Sequence, residues 1–501
     1  MRSLVLTLLL LCSIFKLGIA QSYHEKLADV ANEHQLIGMS VVVVCSGEVV
    51  DVFHHGKANI VNDLPITDST VYRIASISKS VTATVLMKLY EDGNFALDDD
   101  INDHLGYSVR NPNFPDQKIS FRMLLSHTSS LQDGTGYSPF LAETYAQNPV
   151  PSIKELLLPS GSAYTANMWR LETPGSFFTY SNINFGLIAT LVEKISGQRF
   201  DQYAKSVLLE PLGITGSFYV NDLPNINNVA TLYRNSIPQS DNYNGSYPAP
   251  FDESQYTIGD NGIRSSPHGG LRVTPLELSN FLRMHANHGA FNGTQILDSA
   301  TVALMHEAQW TKNGNNGDNY YNLFNEWGLG LHSVRNTPNG DLIFPGTKML
   351  GHPGEAYGLI SDLYFEKEKQ FGFIFITNGY AGSESYSFGS NSAYYQPEEK
   401  IFALIKSFQF DACETITTAT KSPTEINETY AASIFYSNGT QQLHFHEDFK
   451  RGEIYSTAGQ LIHQFSAKGS TETLEDLPLG VYCVLLRTES GMVAQKIVVV
   501  Y

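Results

Sequence analysis

The chain has 501 residues, more than one ordinary domain needs, so we expect two units, one of them large. With 42% hydrophobic and 16% charged residues, the composition excludes a largely disordered chain and allows a substantial buried core. The net charge of -18 excludes a surface that neutralises phosphates, so no binding to nucleic acid is expected.

The first twenty residues have the pattern of a secretory signal peptide. Arg2 supplies a positive charge, an apolar run extends from Leu4 to Phe15, and Gly18-Ile19-Ala20 offers small residues for cleavage. No later apolar run approaches the roughly 18 residues that a membrane helix needs, so no transmembrane helix is expected. The sequence therefore predicts export, with a mature chain that begins near Gln21.

Apolar segments near both ends of residues 21–410 predict one α/β domain whose sheet is completed by both ends. Their length and periodicity distinguish strands, which are short and rich in β-branched residues, from amphipathic helices. The predicted elements are helices over 24–34 and 398–408, and strands over 39–44, 48–55 and 371–377.

The first candidate for chemistry is Ser76, three residues before Lys79 at the start of a predicted helix over 80–92. Residues three apart on a helix share a face, so the two side chains can touch. A serine becomes a useful nucleophile when a base takes its proton, and a lysine whose pKa is lowered by burial can be that base. By itself the tetrapeptide is a weak signal, because Ser-x-x-Lys also occurs at solvated helix starts.

Two intervening features are expected to be structural. The acidic stretch 98–103 fails the calcium-loop template, because its sixth position is Asp103 rather than glycine, so a solvated turn and no metal site are expected. His127 follows a helical Leu-Leu pair, and we expect a core or capping histidine rather than a catalytic one.

The second motif is Tyr180-Ser-Asn182, which precedes an apolar helical run over 185–195. Tyr180 could relay a proton near Ser76, and Asn182 could bond a substrate carbonyl or amide. An ordinary aromatic loop is the alternative.

The third motif is His352-Pro-Gly354-Glu355, in a glycine-rich strand. Glycines there permit a ligand backbone to approach closely, and the Glu355 N–H could serve as an oxyanion donor. Because Pro353 fits only an edge position in a strand, we expect this edge to border the site. A glycine-rich turn without function is the alternative.

In this order and at these separations, the three motifs resemble those of the serine β-lactamase and D-Ala-D-Ala carboxypeptidase superfamily, in its class C β-lactamase-like branch. Further segments agree with the resemblance: Gly93–Asp98, Met123–Leu131 and Gly269–Pro275. The resemblance covers about residues 25–408 and implies an antiparallel sheet flanked by helices, with an additional all-helical region.

The resemblance also implies roles for the motif residues. Ser76 would be acylated, with Lys79 and Tyr180 moving the proton. Asn182 would hold the substrate, and the backbone amides of Ser76 and Glu355 would form the oxyanion hole.

One position departs from the pattern of β-lactamases and carboxypeptidases, which carry Lys-Thr-Gly where this chain has His352-Pro353-Gly354. That lysine is a permanent cation that faces a substrate carboxylate, whereas a histidine is mostly neutral at pH 7. His-x-Gly versions resemble the esterase and aminopeptidase members and the mitochondrial β-lactamase-like proteins. The departure therefore favours an ester or peptide substrate, bound partly by His352 and Gly354, over a penicillin.

Beyond a linker over 411–429, residues 430–501 predict a small all-β sandwich, because short strand-like segments alternate with regularly spaced glycine turns. The segments 454–462, 477–482 and 496–499 resemble the C-terminal sorting domains of type IX secretion. That resemblance implies the secretion machinery as a partner and the cell surface or medium as the destination. A β module for binding or stability is the alternative.

Three cysteines follow the predicted signal peptide. Cys45 lies in an apolar strand and is expected to be a buried thiol. Cys413 and Cys483 could form a disulfide between the linker and the tail.

The sequence thus predicts an exported serine hydrolase that cleaves an ester or amide bond of a small-molecule or peptide substrate without a cofactor. A D-Ala-D-Ala carboxypeptidase or a β-lactamase is one alternative, and a non-catalytic binding protein on the same fold is another. The segment Asn235–Arg264 is expected to shape the cleft.

Overall fold

The computed structural model describes residues 23–383, 386–413 and a set of strands within 434–499. The chain divides into two compact units, a larger one of Tyr23–Thr417 and a smaller one that contains Thr418–Tyr501. The predicted signal peptide, 1–20, and most of the predicted linker, 414–429, lie outside the described residues.

Helices and strands alternate irregularly along the larger unit. Its α-helices are α1 (23–33), α2 (Ile77–Glu91), α3 (Ile101–Leu105), α4 (Phe121–Leu125), α5 (Tyr137–Ala146), α6 (Lys154–Leu157), α7 (Asn182–Ser196), α8 (Phe200–Ala204), α9 (Pro275–Ala286), α10 (Ser299–His306) and α11 (Gln396–Ile405). Its longer strands are β1 (Gly38–Cys45), β2 (Glu48–Asn59), β15 (Leu350–Ala356), β16 (Leu359–Glu366) and β17 (Phe371–Thr377). Its short strands are β3 (Leu64–Pro65), β4 (Tyr72–Arg73), β5 (Phe178–Thr179), β6 (Leu232–Arg234), β7 (Ile237–Ser240), β8 (Arg272–Val273), β9 (Ala290–Phe291), β10 (Thr294–Gln295), β11 (Trp310–Thr311), β12 (Gly317–Asp318), β13 (Glu326–Trp327) and β14 (His332–Ser333).

The main sheet joins the two ends of this unit. Its order is β11-β13-β14-β15-β16-β17-β1-β2-β3. β1 and β17 pair antiparallel, from Met39 opposite Thr377 to Val44 opposite Gly372. The expectation that both ends complete one sheet is therefore confirmed.

Both faces of this sheet are buried. Val42 and Val44 of β1 pack into a core with α2, α7 and α9, whereas Val41 and Val43 pack on the opposite face with α1 and α11. Successive side chains of a strand point to opposite faces, so a strand that is covered on both sides needs an unbroken apolar run. This is why the segment 39–44 is apolar throughout.

Two helices that carry sequence motifs lie on the same side of the sheet. α2 packs against β15, β16 and α7. It begins at Ile77, three residues before the predicted start. α7 begins at Asn182 and ends where Gly197 takes a left-handed backbone with φ of 69°, which glycine adopts without steric cost. The motif residues therefore stand at the N-termini of two adjoining helices.

The cysteine expectations are wrong, because the structure pairs Cys45 with Cys413 in a disulfide. Cys45 lies at the end of β1 on the face covered by α1 and α11, and the chain after α11 returns to that face. The two cysteines are 368 residues apart, so no local pattern could indicate the pairing.

The described strands of the smaller unit form two antiparallel sheets, of order β18-β19-β22 and β21-β20-β23-β24. Their bounds are β18 (Ile434–Ser437), β19 (Gln442–Phe445), β20 (Arg451–Ser456), β21 (Leu461–Ser466), β22 (Thr471–Thr473), β23 (Gly480–Arg487) and β24 (Met492–Val499). Within the described residues, no helix has the length and apolar character that crossing a membrane requires.

Candidate active site

Ser76 stands at the N-cap of α2, at the point where the chain leaves a β-bridge and enters the helix. The Ile74 N–H donates to the Leu271 carbonyl, and the next residue, Ala75, has a left-handed backbone with φ of 46°. This conformation costs free energy for an alanine, and strained backbone of this kind is concentrated at functional sites. It turns the chain so that the half-buried Ser76 side chain reaches a cavity.

Lys79 lies one turn further along α2 and is fully buried. Its Nζ donates to Ser76 Oγ at 3.0 Å and to the His268 carbonyl oxygen at 2.8 Å. Burial lowers the pKa of Lys79 to about 7, against an opposing effect of the Asp133 carboxylate. A substantial fraction of this lysine is therefore neutral near pH 7, as a base beside a serine has to be.

Tyr180 reaches Ser76 from the loop between β5 and α7. Its ring lines the same cavity as Ser76, and the Lys79 Nζ lies 4.9 Å from the centre of this ring. Burial raises the pKa of Tyr180, so its hydroxyl keeps its proton at neutral pH. β5 pairs in parallel with β12, and this pairing brings the chain around 320 beside Tyr180.

Asp133 holds the start of α7 and was not found by sequence reasoning. Its carboxylate accepts from Asn182 Nδ2 at 2.7 Å, from the Asn182 N–H at 3.1 Å and from the Ile183 N–H at 3.0 Å. It also accepts from Ser181 Oγ at 3.1 Å. Asp133 is separated from Asn182 by 49 residues, so only the tertiary fold shows that it caps this helix and orients the amide.

Gly354 permits β15 to lie directly against the start of α2. A Cβ at this position would meet Ser361 Oγ at 2.4 Å, the Ile74 carbonyl oxygen at 2.8 Å and the Ser76 nitrogen at 3.1 Å. The glycine in the third motif is therefore required by close packing against the Ser76 backbone.

Pro353 does not lie on an edge strand of the sheet, since β15 has β14 and β16 as neighbours. β14 pairs only with Leu350 and Gly351, however, so beyond these residues β15 has β16 alone as its paired neighbour. A proline, which has no N–H to donate, fits this locally open side. As expected, the open side borders the site.

His352 lies behind the cavity rather than on its wall. Its ring is fully buried, 6.0 Å from the Tyr180 ring and 5.3 Å from the Trp327 ring, and its Nδ1 donates to the Pro353 carbonyl oxygen. Burial, reinforced by the Lys79 charge, holds the pKa of His352 well below its ordinary value. The ring is therefore neutral and does not supply the cation of a Lys-Thr-Gly motif.

His127 occupies the other side of Tyr180, with its ring 4.6 Å away. It is buried, and its Nδ1 accepts from the Ser181 N–H at 3.1 Å. The expectation of a core histidine is confirmed.

A cavity of about 480 Å³ brings most of the motif residues together. Of the predicted site residues, Ser76, Tyr180, Asn182, Gly354 and Glu355 line it, and Lys79 lies directly beneath Ser76. The expectation for 235–264 is wrong, because none of these residues lines the cavity. Arg73, Arg234, His268 and Gly269 also line it, and further walls come from segments that sequence reasoning did not select, around 320–324, 356–360 and 388–398.

A pair of acidic side chains adjoins this cavity. Glu398 lines it, and Asp362, fully buried behind, has the Glu398 carboxyl as its neighbour. No N–H or O–H donor in the described part of the chain reaches either Asp362 oxygen. Burial raises the pKa of both carboxyls, and repulsion adds to the effect, from Glu398 at Asp362 and from Glu355 at Glu398, so the pair retains a proton at neutral pH.

Across 23–383 and 386–413, no group of three or more His, Cys, Asp or Glu side chains could hold a metal ion. The chemistry that the geometry supports is proton transfer between a serine, a lysine and a tyrosine.

A serine and a buried lysine on one helix, beside a mainly antiparallel sheet, define the class of β-lactamase-fold proteins. The family model described as Beta-lactamase matches residues 22–388, and the chain belongs to this family.

Three similar proteins extend the comparison. Penicillin-binding protein 4 of Amycolatopsis lactamdurans is 24% identical over 292 residues, which are 57% of this chain and 69% of that protein. Protein flp of Staphylococcus aureus strain N315 is 25% identical over 178 residues, which are 36% of this chain but only 34% of that protein. The structure of D-amino acid amidase from Ochrobactrum anthropi SV3, complexed with L-phenylalanine, has a TM-score of 0.58 at 19% identity and covers 79% of this chain and 99% of that one. Such a structural likeness shows the fold alone.

Proposed function

We propose that this protein is a serine hydrolase that cleaves an ester or amide bond through an acyl-Ser76 intermediate. The observation that carries the proposal is the 3.0 Å hydrogen bond between Lys79 Nζ and Ser76 Oγ. Lys79 is fully buried, so its amine can be neutral and accept the serine proton near pH 7.

In the first step, Ser76 Oγ attacks the substrate carbonyl carbon while its proton passes to Lys79 Nζ. The carbonyl electron pair moves onto the oxygen, which the N–H groups of Ser76 and Glu355 stabilise. When the tetrahedral intermediate collapses, the leaving alcohol or amine takes a proton through Tyr180, and Lys79 restores it. Water then attacks the acyl carbon and gives a proton to Lys79. The bond between the acyl carbon and Ser76 Oγ breaks, the proton passes from Lys79 to Oγ, and the carboxylic acid is released.

The substrate class follows from the charge at the third motif. A neutral, buried His352 gives no permanent cation there, so a substrate carboxylate is not demanded at that place. Asn182 is half-buried on the cavity wall and suits an amide or carbonyl group. These features support an ester or a peptide-like amide as the substrate.

A D-Ala-D-Ala carboxypeptidase is the second candidate, and one observation favours it. Arg73 and Arg234 line the same cavity, and either guanidinium could bind a terminal carboxylate of a peptide. The sequence similarity to a penicillin-binding protein also supports this second candidate.

The first experiment is covalent labelling with a fluorophosphonate. We expect one adduct per chain in the wild type and none in Ser76→Ala, because the probe needs an activated serine. Ser69→Ala, which changes an exposed serine outside the cavity, is the matched control and should label normally. A folded wild type that forms no adduct would contradict the proposal and support a binding protein without turnover.

A substrate panel then separates the two candidates. Short-chain esters and D-amino-acid amides are expected to turn over faster than a D-Ala-D-Ala peptide or a chromogenic cephalosporin. Efficient cleavage of the peptide or the cephalosporin, with no esterase or amidase activity, would favour the carboxypeptidase or β-lactamase alternative.

We also propose that the protein is exported. Support comes from the signal-peptide pattern of residues 1–20 and from the Cys45–Cys413 disulfide, which persists in oxidising compartments. The sorting role of residues 430–501 remains a prediction, which secretion of the chain with and without this tail would test.

A further inference from the structure

Three tyrosines with an unusual backbone conformation line the Ser76 cavity. Tyr320, Tyr321 and Tyr357 have φ values of 50°, 58° and 56°, and no other tyrosine among the described residues has a positive φ. A bulky side chain is disfavoured in this left-handed region and persists there only where the surroundings impose it. All three strained tyrosines line one cavity, the one that contains Ser76.

Hydrogen bonds between the flanking asparagines close the loop that contains Tyr320 and Tyr321. Asn319 Nδ2 donates to Asn325 Oδ1 at 3.0 Å, and Asn325 Nδ2 donates to the Asn322 carbonyl oxygen at 2.7 Å. The Phe324 N–H closes the loop on the Asn319 carbonyl oxygen at 2.9 Å. A closed hydrogen-bonded loop of this kind can hold residues in backbone conformations that are intrinsically unfavourable.

Tyr357 is held differently, in the two-residue turn between β15 and β16. Tyr357 and Gly358 both have positive φ, the pattern of a hairpin turn that normally begins with Asn, Asp or Gly. The turn between β1 and β2 has the same form, with Ser46 and Gly47. The geometry of the turn therefore does not require a tyrosine at its first position.

These rings face the cavity with much of their surface exposed. Tyr321 is 80% exposed, and its ring centre lies 6.4 Å from that of Phe388, which is 56% exposed and also lines the cavity. Tyr357 is 42% exposed, and the Arg73 guanidinium lies 5.1 Å from its ring centre. Tyr320 stacks on Phe324, with ring centres 5.6 Å apart and planes at 28°. Open aromatic surface concentrated at one concave site indicates a ligand that covers it.

We propose that Tyr320, Tyr321 and Tyr357 form an aromatic platform that binds an aryl group of the substrate acylating Ser76. The platform suits a flat ring because aromatic pairs gain from offset and edge-to-face contacts beyond the burial of area. Because the loop and the turn hold the tyrosine backbones in place before the substrate arrives, little conformational freedom is lost on binding. This inference rests on the proposed function and names its substrate class.

The test measures how well two boronic acids slow fluorophosphonate labelling of Ser76 in the full chain. Benzylboronic acid and cyclohexylmethylboronic acid carry groups of similar size, but only the first has a flat aromatic ring. We expect the inhibition constant of the benzyl compound to be about 3- to 10-fold lower. The ratio of the two inhibition constants should move towards one in Tyr321→Gly and in Tyr357→Gly.

Glycine adopts a positive φ freely, so neither variant strains the backbone, and a cooperative melting transition of each variant verifies that it is folded. Ser46→Gly is the matched control, because it makes the same backbone change in an equivalent turn without removing a ring from the cavity. Its inhibition ratio should equal that of the wild type.

Two results would overturn the inference while leaving the proposed function intact: equal inhibition constants in the labelled wild type, or a ratio that survives both tyrosine variants. Absence of labelling would refute the proposed function, and the inference would fall with it.

Discussion

Lys79 is a buried amine whose nitrogen is hydrogen-bonded to two uncharged oxygens, the Ser76 hydroxyl and the His268 carbonyl. A charge in such surroundings is costly, and the group responds by shedding its proton more readily. Tyr180 shifts the other way and remains protonated, since burial raises its pKa. Two side chains beside one serine therefore differ in proton affinity in the sense that acid and base roles require.

The pH dependence of labelling tests the role of Lys79. Its pKa is lowered to about 7, so the neutral amine accumulates as pH rises, and the labelling rate should rise through pH 7 to a plateau. Lys79→Arg should reduce the rate by roughly 100- to 10,000-fold, because arginine stays protonated. Lys88→Arg, further along α2, is the control and should keep the wild-type profile. If the labelling rate of Lys79→Arg still rose through pH 7 as in the wild type, the titrating group would be a residue other than Lys79.

The Asp362 and Glu398 pair gives a prediction about stability. Burial raises the pKa of Asp362, so between its unfolded and folded pKa values the folded protein binds more protons than the unfolded one, and stability falls as pH rises. Asp362→Asn removes this loss, so its melting temperature relative to wild type should increase by about 2 °C between pH 5 and pH 8. Asp116→Asn, an exposed change, should show no such increase in thermal scans. If the melting temperatures of Asp362→Asn and the wild type differed by the same amount at pH 5 and pH 8, Asp362 would not titrate in this range.

At the scale of elements, the site forms where α2, α7 and β15 converge. A specific feature helps to position each element: a strained alanine before α2, an aspartate that caps α7, and a glycine where β15 meets Ser76. The spacing between these elements therefore depends on these close contacts as well as on the apolar core.

Gly354→Ala tests this spacing. The added methyl would displace β15 from the Ser76 nitrogen, and a displacement near 1 Å can cost about 100-fold in rate, so we expect a loss of that order in labelling. Gly382→Ala, whose Cβ would meet nothing closer than 3.4 Å, is the control and should label at the wild-type rate. A Gly354→Ala protein that labels normally would show that this close approach is not needed for acylation.

At the scale of the whole molecule, the larger unit is closed by the β1–β17 pairing and by the Cys45–Cys413 disulfide. Both join the beginning of this unit to its end. A cross-link over so long a loop restricts the unfolded chain strongly, which stabilises the folded state.

Thiol counting tests the disulfide. Residues 21–501 contain three cysteines, so the denatured protein should show one reactive thiol before reduction and three afterwards. Cys413→Ser should lower the free energy of unfolding by about 2–4 kcal/mol in denaturant titrations. Adding a reductant should destabilise the wild type but not this variant. Three reactive thiols in the unreduced protein would contradict the pairing.

The sequence by itself determined what depends on neighbours along the chain. The apolar run of β1, the helix beginning beside Ser76 and the left-handed end of α7 at Gly197 all follow from local spacing and backbone preference. The order of three motifs determined the family, and the match over 22–388 confirms it.

Only the tertiary structure decided which distant groups meet. Asp133 caps a helix 49 residues away, Cys45 pairs across 368 residues, and His352 lies behind Tyr180 instead of on the cavity wall. The strained tyrosines are also a feature that only the structure shows, since they lie in a closed loop and a hairpin turn. Such contacts have no local signature, because the free energy that maintains them comes from packing and hydrogen bonds between segments that are remote along the chain.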